Sequence, residues 1–261
     1  MTDQRTPCRG KQRPRQAVRV TVPRVDPGRR RAFRRRLLVW YRRCRRDLPW
    51  RRTSDPYHIL VSEIMLQQTQ VDRVIPKYRE FLTRYPSLED LARARVDEVR
   101  EAWYPLGYNV RPYRLHAIAR QAIRRHGGRI PDDPAVLLRM KGIGRYTAGA
   151  ILSFAYRKDA PVVDTNVRRV LRRVFLGVRR SATESTFWTM AAELLPRGGA
   201  YDYNPALMDF GATVCTARRP ACPACPLRRQ CASFPALSVI SNGSGSSGRG
   251  SRGAVRAPPG P

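Results

Sequence analysis

Apolar residues recur along most of this chain at the three- and four-residue spacing of amphipathic helices. The first such stretch begins at Arg29, and its apolar face holds Phe33, Leu37, Trp40, Tyr41 and Cys44, so Cys44 is predicted to lie in the core. Proline and glycine signals separate further stretches of the same kind. These run over 57–66, 74–82, 88–103, 113–126, 146–156, 166–177, 183–195 and 203–214.

This pattern predicts an all-α fold, because it contains roughly ten short helices and no convincing pair of strands. The two ends of the chain lack it. Residues 1–28 are rich in Arg, Pro, Gln and Thr, which is typical of a disordered basic arm. Residues 235–261 are mostly Gly, Ser, Arg and Pro, which is typical of a disordered, flexible tail.

Gly142 and Gly144 flank Ile143 in a turn between two predicted helices. Glycine permits positive φ and a close backbone approach, and the helix that follows offers unpaired N–H groups at its N-terminus. A phosphate suits that geometry. A plain packing turn is the commoner interpretation of an isolated Gly-x-Gly.

Composition adds a large positive charge. The chain has 51 Lys+Arg against 20 Asp+Glu, a formal net charge of +31. A surplus of this size indicates a polyanionic partner, usually nucleic acid, and predicts binding that weakens steeply with salt. Mutational bias toward arginine would explain the choice of Arg over Lys but not the shortage of acidic residues.

The sequence contains no apolar run long enough for a membrane span and no apolar leader. We therefore expect a cytoplasmic, nucleoid-associated protein that does not bind a membrane. Four of its six cysteines are clustered. Without an export signal, clustering favours a metal or cluster site over disulfides. The spacing alone leaves zinc and a [4Fe–4S] cluster open; the four are Cys215, Cys222, Cys225 and Cys231.

Two acidic residues are candidates for chemistry. Glu63 has apolar neighbours at i−4, i−3 and i+3, so desolvation along that face would raise its pKa toward a value useful in a general acid. The alternative is an ordinary glutamate at the edge of an apolar stripe. Asp164 precedes a predicted helix and is best interpreted as its N-cap, a role that still allows one oxygen to face a pocket.

Gln67 and Gln68 follow the Glu63 segment directly. Paired amides at a helix end often face water, but beside a nucleic-acid site they could fill the gap left by a displaced base.

Together these features resemble the helix–hairpin–helix DNA glycosylase superfamily. The matching segments are the hairpin at 140–146, the loop at 161–164 and the four-cysteine spacing, which resembles the iron–sulfur loop of that family and implies a [4Fe–4S] cluster. Residues 62–71 resemble the adenine DNA glycosylases (MutY type), which remove adenine mispaired with guanine or 8-oxoguanine. Supporting matches are Trp50 and residues 55–57, 106–108, 147–152 and 163–167.

The resemblance covers about residues 30 to 232 and implies two helical lobes. One is a six-helix barrel lobe at 52–163 that carries the hairpin. The other is an iron–sulfur lobe formed by 29–51 and 164–234. The implied partner is double-stranded DNA with a mismatched or damaged pair, bound by a monomer in the groove between the lobes.

The resemblance also implies roles for single residues. Glu63 would protonate the leaving adenine and then help water to attack, Asp164 would stabilise the positively charged sugar, and Asn166 would help Glu63 to hold water. Tyr146 occupies a hairpin position where endonuclease III-like relatives carry a lysine that forms a Schiff base, so no strand-cutting lyase activity is expected. The implied DNA-binding residues are Gln67, Gln68, Tyr108, Lys141, Gly142, Ile143, Gly144 and Arg145.

Some positions depart from the adenine glycosylase pattern. Thr165 replaces a frequent glycine, Lys141 a frequent proline and Asn109 a common second aromatic residue. Only a Gly/Ser/Arg-rich tail follows the cysteines, so we expect no C-terminal domain that reads 8-oxoguanine. A thymine/uracil mismatch glycosylase is therefore an alternative, and a non-catalytic DNA-binding protein is a second one.

Overall fold

The computed structural model describes residues 24–107, 110–178, 180–234 and 236–237, and within these ranges the fold is all-α, as predicted. The predicted arm and tail lie outside the described residues apart from 24–28 and 236–237. None of the described helices is both long and apolar enough to cross a bilayer. The helices are α1 (Pro27–Cys44), α2 (Pro56–Met65), α3 (Val71–Arg84), α4 (Leu88–Arg93), α5 (Val96–Trp103), α6 (Val110–Arg125), α7 (Pro134–Arg139), α8 (Arg145–Phe154), α9 (Thr165–Leu171), α10 (Glu184–Leu194) and α11 (Ala200–Thr213).

The prediction of one continuous helix over 88–103 was wrong. The chain leaves the helical conformation at Ala94 (ψ 152°), and Arg95 is the N-cap of α5, where its backbone N–H donates to the Glu98 carboxylate at 3.3 Å. The spacing of apolar residues does not reveal this break, because α4 and α5 both bury their apolar residues on the side that packs against α6.

The prediction that Cys44 lies in the core was also wrong, since it is exposed. Phe33, Leu37 and Tyr41 on the same helix are buried. Cys44 is the last residue of α1, and the chain turns away at Arg45 (ψ 136°), so the apolar face ends one turn before it.

Buried apolar side chains form two clusters. The first cluster comes from residues 48–152 and is built by α2 to α8 with the short 3₁₀ turn Pro49–Arg51. The second cluster combines α1 with residues 163–227, which include α9 to α11 and the π-helical turn Arg172–Leu176. The chain therefore leaves the second cluster after α1, builds the first and returns.

Close packing of α8 and α11 joins the two clusters. The buried Asn204 amide donates to Ser153 Oγ at 2.9 Å and to the Ala160 carbonyl at 2.8 Å. A Cβ on Gly149 would lie 2.5 Å from the Pro161 carbonyl oxygen, so only glycine lets the loop before α9 rest on α8. These contacts fix the point where α9 begins.

Candidate active site

A cavity of about 1080 Å³ lies between the two clusters. Glu63, Gln67 and Gln68 line it from the end of α2 and the segment that follows. Asp164 and Asn166 line it from the start of α9. Side chains that stand far apart in the sequence therefore share one space.

Glu63 is held in a strongly desolvated position. It lies near the end of α2, which begins at Pro56 with Asp55 as its N-cap, and it is 3% exposed. Burial raises its pKa to about 7 and the charge of Asp164 adds to the rise, whereas the hydrogen bond from Tyr146 and the charge of Arg51 oppose it. Its Oε2 has no hydrogen-bond partner among the described residues. The carboxyl can therefore carry a proton near neutral pH.

Asp164 serves as a helix cap and also faces the cavity. Its Oδ1 accepts the Val167 backbone N–H at 2.6 Å, which satisfies a free donor of α9. Its Oδ2 accepts the Asn166 amide at 2.9 Å. Both interpretations of this residue therefore hold together, and two donors fix its orientation.

Asn166 is held in turn by its neighbours. Its Oδ1 accepts from Arg169 at 2.6 Å, so its Nδ2 is the atom directed at Asp164. Gly211 on α11 lies against it, and a Cβ on that glycine would come within 2.7 Å of Asn166 Cβ. The packing of α11 thus supports the start of α9.

Tyr146 links the hairpin to Glu63. It is the second residue of α8, and its hydroxyl donates to the Glu63 carboxyl inside the cavity. Burial raises its pKa well above the ordinary value, with the Glu63 and Asp164 charges acting in the same direction. The phenol therefore stays neutral and keeps its proton to donate.

Arg51, which no sequence pattern singled out, is the cation that acts on Glu63. It binds the Asp209 carboxylate through two nitrogens, at 2.7 and 2.9 Å. Asp209 on α11 is fully buried and also accepts from Arg46 Nε at 2.6 Å. Burial opposes the ionisation of Asp209, but the two arginines outweigh it and lower its pKa. The pair ties the two clusters together beside Glu63.

The hairpin presents its cations outside the cavity. Lys141, Gly144 and Arg145 are exposed, whereas Ile143 is buried in the first cluster. The Arg145 guanidinium stacks on the Trp188 ring, 4.1 Å from its centroid. This surface combines positive charge with the N-terminus of the ten-residue α8.

The two hairpin glycines have different conformations. Gly142 has φ +107°, a region that favours glycine. Gly144 does not adopt positive φ: it is extended (φ −91°, ψ 176°) and is the N-cap of α8.

Of the predicted DNA-binding residues Gln68 and Tyr108, the structure describes only the first. Gln68 is exposed and has φ 56°, a left-handed conformation that costs a non-glycine residue about 1–2 kcal/mol. Such strain persists only where neighbours hold the backbone in place. Tyr108 lies outside the described residues.

Three of the four predicted ligand cysteines, Cys215, Cys225 and Cys231, pack against the second cluster. Burial raises the pKa of Cys225 to about 12, and Cys215, Cys231 and Cys222 act on it in the same direction. Arg173 Nη1 lies 3.5 Å from Cys215 Sγ. In the described part of the chain, no three His, Cys, Asp or Glu side chains converge closely enough to hold a metal ion.

Comparison with known proteins adds a family assignment. Residues 61–193 match the family model described as HhH-GPD superfamily base excision DNA repair protein. The chain is also similar, with a TM-score of 0.76 and 34% identity, to a solved thermostable thymine-DNA glycosylase, and the match covers 80% of this chain and 98% of that one.

Relatives with two different names are similar to the chain. It is 46% identical over 208 residues to the adenine DNA glycosylase of Mycolicibacterium smegmatis, covering 78% of this chain and 71% of that protein. It is 43% identical over 212 residues to the human adenine DNA glycosylase, and spans only 39% of its length. It is 41% identical over 215 residues to the thymine-DNA glycosylase of Aeropyrum pernix, covering 96% of that protein.

Proposed function

The chain belongs to the HhH-GPD superfamily of base excision DNA repair proteins, and we propose that it hydrolyses the N-glycosidic bond of adenine mispaired with guanine or 8-oxoguanine. The observation that carries this proposal is the pairing of Glu63 and Asp164 across one cavity. One carboxyl can hold a proton near neutral pH, and the other is fixed by two hydrogen-bond donors.

The reaction follows from that difference. Glu63 Oε2, which has no partner among the described residues, gives its proton to a nitrogen of the leaving base as the bond to C1′ breaks. The Asp164 carboxylate stabilises the positive charge that develops on the sugar. Water then adds to C1′, and Glu63 takes the proton that the water releases.

The proposed partner is double-stranded DNA with a mismatched or damaged pair, bound by one copy of the chain. Extruding a base costs a few kcal/mol, which phosphate contacts and insertion into the stack offset. Support comes from the exposed Lys141 and Arg145 beside the N-terminus of α8 and from the strained, exposed Gln68 at the cavity.

We propose a monofunctional glycosylase. A lyase needs an amine that forms a Schiff base with the sugar. Tyr146 presents a phenol next to Glu63, and the nearby Lys141 lies on the exposed hairpin, outside the residues that line the cavity.

Adenine is favoured as the excised base by the resemblance of residues 62–71 and by the 46% identical mycobacterial relative. A second candidate is a thymine/uracil mismatch glycosylase. The observation in its favour is the match to nearly the whole length of the Aeropyrum enzyme.

We also propose that the four cysteines hold a [4Fe–4S] cluster, for which four thiolates are the usual donors. They lie close enough to alter the pKa of Cys225, yet in the described ranges no ligand group closes around a single ion. The spacing of the four cysteines, which resembles the iron–sulfur loop of this superfamily, favours the cluster over zinc. When bound, it would cross-link residues 215–231. Equal iron and acid-labile sulfide in the purified protein would support it, and stoichiometric zinc would overturn it.

A panel of duplexes tests the substrate. Duplexes with A:8-oxoG, A:G, T:G and U:G pairs are incubated with the protein and then treated with alkali, which cuts the strand where a base has been lost. We expect cleavage at adenine opposite guanine or 8-oxoguanine, and only after alkali. Cleavage restricted to T:G and U:G would favour the second candidate, and no cleavage in any duplex would contradict both.

A further inference from the structure

Arg111, on the first turn of α6, is 1% exposed although arginine is among the residues least often buried. Its Nη1 lies within hydrogen-bond distance of the carbonyl oxygens of Met65 (2.7 Å), Ile64 (3.3 Å) and Gln67 and of Thr69 Oγ1 (3.0 Å), which share its two N–H groups. Its Nη2 donates to the carbonyls of Leu106 and Gly107, both at 2.9 Å. One planar guanidinium therefore binds two separate loops.

The first of these loops begins where α2 ends. The last carbonyls of a helix lack intrahelical partners and carry the negative end of its dipole, so a cation stabilises them. Met65 is the last residue of α2, two positions after Glu63, and the loop continues through Gln67 to Thr69. Gln68, between those two contacts, has the left-handed backbone conformation. The guanidinium thus grips the backbone on both sides of the strained residue.

The second loop is the turn at Leu106 and Gly107, where Gly107 has φ +68°. It leads directly to residue 108, and α6 carries Arg111 only a few residues later. The Trp103 ring, with its centroid 5.5 Å from the guanidinium carbon, closes the site from α5. Two loops from different parts of the sequence therefore keep a fixed relation to each other and to the helix that carries Glu63.

We propose that Arg111 is a positioning residue for base extrusion: it holds the Gln67–Thr69 loop and the Leu106–Gly107 loop as one rigid wedge next to Glu63. This inference rests on the proposed function. Lysine would keep the charge but lacks the planar fork that reaches both loops at once. If Arg111 only stabilised the fold, its substitution would slow base release equally from duplex and single-stranded DNA. If it holds a wedge, its substitution should slow release only where the base must first leave a stacked duplex.

Variants at Thr69 test this with little risk to the fold. Thr69→Val removes the hydroxyl that accepts from Arg111 and nearly conserves shape, whereas Thr69→Ser keeps the hydroxyl. Arg111→Lys tests the fork directly. Thr83→Val, which removes an exposed hydroxyl bonded only within α3, is the matched control. Thermal unfolding confirms that each variant folds.

Single-turnover release is measured for adenine in an A:G duplex and for adenine in single-stranded DNA, where extrusion costs least. In the duplex we expect Thr69→Val and Arg111→Lys to release adenine about 10-fold more slowly than wild type. The fluorescence of a 2-aminopurine placed beside the mismatch should also rise more slowly. Thr69→Ser should restore most of the rate and Thr83→Val should match wild type. In single-stranded DNA the defects should shrink to about 2-fold or less.

Equal defects on duplex and single-stranded substrates, or a Thr69→Val variant as fast as Thr69→Ser, would overturn the inference and leave the proposed function intact. A wild-type protein that releases no base from any mismatched duplex would instead overturn the proposed function, and this inference with it.

Discussion

Glu63 and Asp164 face the same cavity although the helices that carry them belong to different hydrophobic clusters. Their charges interact, because ionised Asp164 raises the pKa of Glu63. The two carboxyls have separate surroundings: Glu63 is desolvated and can keep its proton near neutral pH, whereas Asp164 accepts two hydrogen bonds. This separation supplies the acid and the charge stabiliser that the proposed reaction requires.

The pH dependence of base release should report Glu63. The carboxyl must be protonated to act as an acid, so the single-turnover rate should fall as the pH rises through about 7, where burial places its pKa. A rate–pH profile measured at constant ionic strength checks this. A rate that rises steadily from pH 6 to pH 9 would contradict the role of general acid.

Substitutions at Asp164 should separate its two roles. Asn caps a helix about as well as Asp, so Asp164→Asn should keep the cap of α9 and the thermal stability of the protein. Base excision should nevertheless slow by about 100-fold or more. Asp164→Ala should lose the rate and also about 1 kcal/mol of stability. Single-turnover assays and thermal unfolding measure the two effects, and a fast Asp164→Asn variant would refute the charge-stabilising role.

Arg51 should influence the pH at which the rate of base release falls. Tyr146, Asp164 and Arg51 act on Glu63 from α8, the start of α9 and the 3₁₀ turn, and only Arg51 is a cation. Arg51→Met should therefore raise the pKa of Glu63 further and move the fall in rate to higher pH.

The control for that variant is Arg100→Met, which removes an exposed arginine on α5. It should leave the profile unchanged. An Arg51→Met profile that moves to lower pH, or does not move, would show that the charge of Arg51 does not act on Glu63.

Tyr146 should prevent covalent chemistry. Borohydride reduces a Schiff base to a stable amine, so wild-type protein mixed with mismatched duplex and borohydride should give no cross-linked band on a denaturing gel. A high yield of adduct would show that another amine, such as that of Lys141, reaches the sugar.

Sequence reasoning found residues whose role is signalled by their immediate neighbours. Glu63 stands out because apolar residues surround it at helical spacing, and Asp164 because it precedes a helix. Both signals lie within a few positions, and the structure places both residues at one cavity.

Other parts of the site depend on partners distant in sequence. Arg51 acquires its role from Asp209, which is 158 positions away, and Arg111 from Met65, 46 positions away. Neither could be distinguished among so many arginines. Cys44 was misplaced for a related reason, since periodicity shows which face of a helix is apolar but not where its packing partner ends.

The central claim is that the Glu63 carboxyl protonates the leaving base as the N-glycosidic bond breaks, and Glu63→Gln tests it most directly. Glutamine removes a carboxyl whose raised pKa makes its ionisation above pH 7 costly to the folded state, so at pH 8 the variant should be at least as stable as wild type. Glu101→Gln, an exposed substitution on α5, is the control. In single-turnover assays on A:G and A:8-oxoG duplexes, we expect Glu63→Gln to bind DNA as wild type does and to release adenine at least 100-fold more slowly. A Glu63→Gln variant that keeps the wild-type rate would contradict the account.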